Sequence, residues 1–85
     1  MTIAAITIKH NTNNTPTTHT ELETLTTNQL NNALNHTRVT SATTETLQDN
    51  TGHAQTTVIL NGPNRNTITN ELANADINTH ITFKA

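Results

Sequence analysis

Apolar residues along this chain recur with two different periods, and the changes of period divide it into six elements. From Thr2 to His10 the side chains alternate: Ala4, Ile6 and Ile8 share one face, while Thr7 and Lys9 share the other with Ile3 and Ala5. A period of two is that of a strand with one face buried. Asn11 to Thr18 is polar, holds Pro16 and reads as a loop. Leu22, Leu25, Leu30, Ala33 and Leu34 then fall within half a turn at about 100° per residue, which predicts a helix ending near His36. Its start is marked twice, because Thr18 with Glu21 and Thr20 with Glu23 both have capping-box spacing, and carboxylates suit the positive end of a helix.

Arg38 to Gln48 is rich in threonine, with Val39 and Leu47 as its large apolar residues, the pattern of a weakly buried edge strand. Asp49-Asn50-Thr51-Gly52 reads as a turn, and His53 to Asn61 returns as the hairpin partner with Ala54, Val58 and Leu60 on one face. Asn61-Gly62-Pro63 stops that strand and starts a second helix, since proline fits the first helical turn. Ile68, Leu72 and Ala75 give this helix one apolar side, and Asp76 to Ala85 closes the chain as a strand with Ile77, Ile81 and Phe83 inward. The order βαββαβ, in one domain spanning residues 1–85, predicts an α+β ferredoxin-like sandwich. It consists of a four-stranded antiparallel sheet with two helices on one face and the first and third strands central.

Composition changes this picture on the polar side. The chain holds 22 Thr and 14 Asn among 85 residues, against two Lys, two Pro and a net charge of -2. A gene biased toward A and C would enrich Lys and Pro along with Thr and Asn, so the preference acts on amino acids. Threonine and asparagine are poor helix formers, and both helices must therefore rely on packing. The few charges make no footprint for nucleic acid or an anionic membrane. No cysteine is present, no apolar run is long enough to span a bilayer, and Met1 to Lys9 lacks the pattern of a signal peptide. A soluble, cytoplasmic product is expected.

Chemistry has few candidates. Five histidines raise the question of a metal, and the topology brings His10, His19 and His53 toward one edge of the sheet. Strand parity sends His10 toward the helices and His53 to the open face, so convergence needs a twist or bulge. No Cys and no HxH or HxxxH spacing supports a site, and the preferred reading is five surface or strand-end polar residues. Of the acids Glu21, Glu23, Glu45, Asp49, Glu71 and Asp76, Glu21 and Glu23 are expected to cap the first helix, Asp49 to serve the turn and Asp76 a helix-to-strand junction, and no separated pair is set to face each other across a cleft for acid-base work. Ser41 lies in a strand pattern without a glycine-rich elbow, and Gly52 and Gly62 alone make no phosphate loop. On the open face, Thr7, Lys9, Arg38, Thr40, His53, Gln55, Thr57, His80, Thr82 and Lys84 are mildly basic, but RNA-reading sheets stack bases on exposed aromatics, and Phe83 has inward parity. The expectation is no catalytic residue, no cofactor and no specific partner, with the edge strand from Arg38 to Gln48 as the place where copies would associate.

The whole chain resembles a computationally designed protein on a ferredoxin-like backbone, which implies a sequence that encodes structure and no evolved activity. Among natural families, Ile3-Ala4-Ala5-Ile6-Thr7-Ile8, Arg38-Val39-Thr40-Ser41-Ala42 and Gly52-His53-Ala54-Gln55-Thr56-Thr57-Val58-Ile59-Leu60 resemble the ACT-type regulatory domain. That resemblance implies a module that binds a small ligand or pairs with its own copy. Ligand sites of that family use the loop after the first strand and a glycine near the first helix; here the loop from Asn11 to Thr18 has no glycine.

Overall fold

The computed structural model describes residues 1–11, 18–46 and 53–84. Six elements follow in the expected order: β1 (Thr2–Asn11), α1 (His19–Ala33), β2 (Arg38–Thr46), β3 (His53–Gly62), α2 (Arg65–Asn74) and β4 (Thr82–Phe83). The strands form one antiparallel sheet in the order β2-β3-β1-β4, which places β1 and β3 at its centre. The loop containing Pro16, the turn from Asp49 to Gly52 and the strand end at Leu47 and Gln48 lie outside the described residues. No helix among the described residues is long and apolar enough to cross a membrane.

β1 and β3 pair without a slip from Thr2 opposite Gly62 to Asn11 opposite His53. Their alternation therefore acts in concert: Ala4, Ile6, Val58 and Leu60 all reach the same face and are almost fully buried. α1 contributes Leu30 and, just beyond its end, Leu34, and α2 contributes Ile68 and Leu72, to the same cluster. Both helices thus cover one face of the sheet, giving the α+β ferredoxin-like arrangement. Each large aliphatic side chain buried here is worth about 2 kcal/mol.

The helices begin at side-chain caps. The Thr18 hydroxyl accepts the Glu21 N–H at 3.1 Å, which selects the first of the two capping-box starts. For α2 the cap is Asn64, whose Oδ1 accepts the Thr67 N–H at 2.8 Å. Pro63 therefore precedes the cap and is not in the first helical turn as its position had implied.

Four further expectations are corrected. α1 ends at Ala33, short of His36: Leu34 is extended at φ -104°, ψ 141°, and the next three N–H groups turn toward a carboxylate of α2. Leu25 is 53 % exposed, and Thr26 takes the inward place at 3 %. The cause is a roll of α1 toward β2, where Glu23 and Asn31 accept the N–H groups of Thr44 and Val39. In β2 a bulge between Val39 and Ser41 reverses the parity, so the inward residues are Val39, then Ala42 and Thr44. The Thr40 hydroxyl donates to the Ile59 carbonyl at 3.3 Å beside that bulge.

The last strand is the fourth correction, since only Thr82 and Phe83 pair with β1. At the end of α2 the Asp76 N–H donates to the Ala73 carbonyl and the Ile77 N–H to the Leu72 carbonyl, a Schellman closure with Asp76 at φ 59°. This closure turns the chain and packs Ile77 against the core. Thr79 then donates its hydroxyl to the Thr7 carbonyl at 3.0 Å, on the side of β1 where a longer strand would have paired. Phe83 is inward as expected, half-buried opposite Ala4, with the Arg65 guanidinium 5.0 Å from its ring centre.

Candidate functional site

The sheet edge where β1 ends, β3 begins and α1 starts does gather polar groups. His10 lies on the helix-facing side of β1, and its Nε2 is 2.7 Å from the Thr56 hydroxyl. That hydroxyl is in turn 2.7 Å from Thr44 Oγ1, and both threonines are buried. The strands place this relay through register alone: Thr44 faces Thr56 across β2 and β3, and His10 lies beside Thr56, opposite Ala54, across β1 and β3. Burial lowers the His10 pKa, because the charged ring would lose its water. The His10–Thr56 and Thr56–Thr44 contacts close the relay within the protein.

His19 begins α1 and its Nε2 is 2.8 Å from the Thr46 hydroxyl at the end of β2. His53 starts β3 with the opposite parity to Ala54, on the other face of the sheet from His10. His10 and His19 thus meet neighbouring threonines of β2 and β3, while His53 stays across the sheet. Among the described residues, no three His, Asp or Glu side chains gather into a set that could hold a metal ion.

The carboxylates are placed by tertiary contacts. Glu23 does not cap α1; its Oε2 accepts the Thr44 N–H at 2.6 Å on the outer edge of β2. Asn31, two turns further along α1, accepts the Val39 N–H at 3.0 Å on the same edge. Between these anchors lies an open groove of about 310 Å³, lined by Glu23, Thr27, Asn28, Val39 and Ala42. Glu45 accepts from the Gln55 amide at 3.1 Å on the exposed face.

Glu71, like Glu45, is an acid that residue spacing did not assign. Its carboxylate receives three consecutive N–H groups from the α1–β2 link: Asn35 at 3.2 Å, His36 at 2.9 Å and Thr37 at 3.0 Å. Burial pushes its pKa up, but the donors from His36, Thr37 and Asn35 reverse that and hold it below the ordinary glutamate value. The one available signal was negative: Glu71 sits inside a helix with no cap or turn to serve, in a chain that has few acids. Ser41 is exposed on β2 beside its bulge, and Asn61-Gly62 ends β3. No protein-family model, no curated protein and no solved structure matches this chain.

Proposed function

We propose that this chain is a self-contained structural domain of the designed kind that it resembles, with no catalytic chemistry of its own. The observation that carries this reading is the use of its carboxylates. Glu71 serves the backbone of the α1–β2 link, Glu23 the edge of β2, and Glu45 its cross-strand neighbour. A general acid or base has to be free to exchange a proton with substrate, whereas these groups are engaged by donors of the same chain, Glu23 included although it borders the groove beside β2. The His10 relay ends on two buried threonines in the same way. Backbone-assigned NMR with zinc, then with a pool of amino acids and nucleotides, tests the reading. Shifts that ignore every additive are expected; saturable changes at His10, His19 and His53 on adding zinc would overturn it.

A second reading is a module that pairs with its own copy through the edge strand from Arg38 to Gln48, as the ACT-type resemblance implies. It is favoured by the sheet order, which leaves β2 at the rim with no proline to block pairing. The contacts of Asn31 and Glu23 with Val39 and Thr44 already occupy two rim N–H groups, so a copy must displace them. Sedimentation velocity at millimolar concentration decides: a dimer weakened by Ala42→Pro, which removes a rim N–H and leaves the β2–β3 ladder intact, supports this reading, and a clean monomer rejects it.

A further inference from the structure

Charge is unevenly placed along the strands. Among the described residues, Lys9, Glu21, Glu23, Glu45 and Asp76 lie toward the end of the sheet where β1 and β2 finish: Glu45 and Lys9 flank Gln55, Glu23 reaches Thr44, α1 starts beside Thr46, and Asp76 borders a hollow with Thr7 and Lys9. The opposite end holds Arg38, Arg65 and Lys84. Arg38 opposes Asn61 and Asn61 opposes Ile3, whose carbonyl accepts the Lys84 N–H at 2.7 Å, while the Arg65 guanidinium lies over Phe83. Glu71 is the one acid near them among the described residues, and three N–H groups of the α1–β2 link already engage its carboxylate. A chain of net charge -2 therefore has one cationic end. There a hollow of about 420 Å³ opens, lined by Met1, His36, Arg38, Thr40, Asn61, Gly62 and Pro63. No acid lines it, and the Arg38 guanidinium has no carboxylate partner among the described residues. The Thr40 hydroxyl already donates to the Ile59 carbonyl. Arg38 is thus the fixed charge of the hollow, beside the Pro63 ring and the Met1 side chain, which is 89 % exposed and joins no core.

We propose that this hollow binds a small organic carboxylate with a compact apolar body, its carboxylate on the Arg38 guanidinium and its body against Met1 and Pro63. The planar fork of an arginine pairs both oxygens of a carboxylate at once. An unbranched methionine side chain adapts to the shape that it covers. Arg38 is exposed, so the ion pair alone is weak and the apolar contact has to add to it. For a ligand of nine non-hydrogen atoms the dissociation constant should be about 1–10 mM. A free amino acid brings an ammonium group that the cationic end repels, and a phosphate dianion needs more donors than a single guanidinium supplies. The inference goes beyond the structural reading above and is tested apart from it, because the hollow lies at the opposite end of the sheet from His10, His19 and His53.

Benzoate, its neutral relative benzamide and inorganic phosphate are the probes, titrated by NMR at pH 7 in roughly 0.1 M salt. Benzoate should shift the amides of His36, Arg38, Thr40, Asn61 and Gly62 saturably, with benzamide and phosphate each about tenfold or more weaker. Arg38→Gln should weaken benzoate about tenfold. Lys84→Gln removes the same charge three strands away in the sheet, roughly 14 Å, which exceeds a Debye length of about 10 Å, and should change binding less than about twofold. Both substitutions fall at exposed positions and leave the fold intact. Four results would overturn the proposal: no saturable shift with benzoate, shifts that map elsewhere, benzamide or phosphate binding as tightly as benzoate, or an equal effect of the two substitutions.

Discussion

Two residues show how a side chain or its absence acts far along the sequence. Glu71 holds three N–H groups that lie more than 30 positions before it, and the link between α1 and β2 has its shape because that carboxylate is there. Replacing it by Gln keeps the size but weakens charge-assisted bonds, and Glu71→Gln should lose about 1–2 kcal/mol in urea unfolding at pH 7. The sign with pH follows from the lowered pKa. The stabilisation is complete above the ordinary glutamate value, about 4.3, and is lost as pH falls through the lower folded value. Wild type and variant should therefore converge in strong acid; a constant difference down to pH 2 would contradict the assignment. Gly62 acts through absence: a Cβ there would lie 2.6 Å from Ile68 Cγ1 and 3.2 Å from Thr37 Oγ1. Ile68 is fully buried and has nowhere to go. Gly62→Ala should cost about 1–3 kcal/mol, and an unchanged melting temperature would reject this account.

Elements are ended by tertiary contacts more than by residue preference. α2 closes through a Schellman turn with Asp76 in the left-handed region, a conformation that favours glycine. Asp76→Gly should relieve that strain and raise stability by about 0.5–1 kcal/mol, as read from the urea midpoint; a loss would mean that the Asp76 carboxylate has a role the backbone does not explain. The same turn shortens β4 to two residues, because Ile77 packs onto the core and Thr79 takes the Thr7 carbonyl. Periodicity in the last ten residues was therefore a correct guide to Phe83 and a poor one to pairing. In β2 the reverse applies. Threonine at four of nine positions gave no face to read, and the bulge beside Val39 set the parity.

Across the whole molecule, the buried polar relay ties stability to pH near neutrality. The His10 pKa is lowered by burial, so the folded state prefers the neutral ring. Its contribution is present above the ordinary histidine value, about 6.5, and is lost as pH falls through the lowered one. The urea midpoint should therefore fall between pH 7 and pH 5 more steeply in wild type than in His10→Gln; parallel profiles would remove His10 from the account. The sequence by itself determined the element order and the inward faces of β1, β3 and α2, and hence the sheet order with β1 and β3 central; of the two capping-box starts it offered for α1, the structure selected Thr18. These are local or periodic features, and alternation over ten residues fixes which side chains face the core, because a one-residue slip would turn them all outward. Only the tertiary structure decided the roll of α1, the exchange of Leu25 for Thr26, the bulge in β2 and the partner of Glu71. In a chain filled with threonine and asparagine, most positions can serve either face, so their places are set by which backbone donor or gap lies within reach.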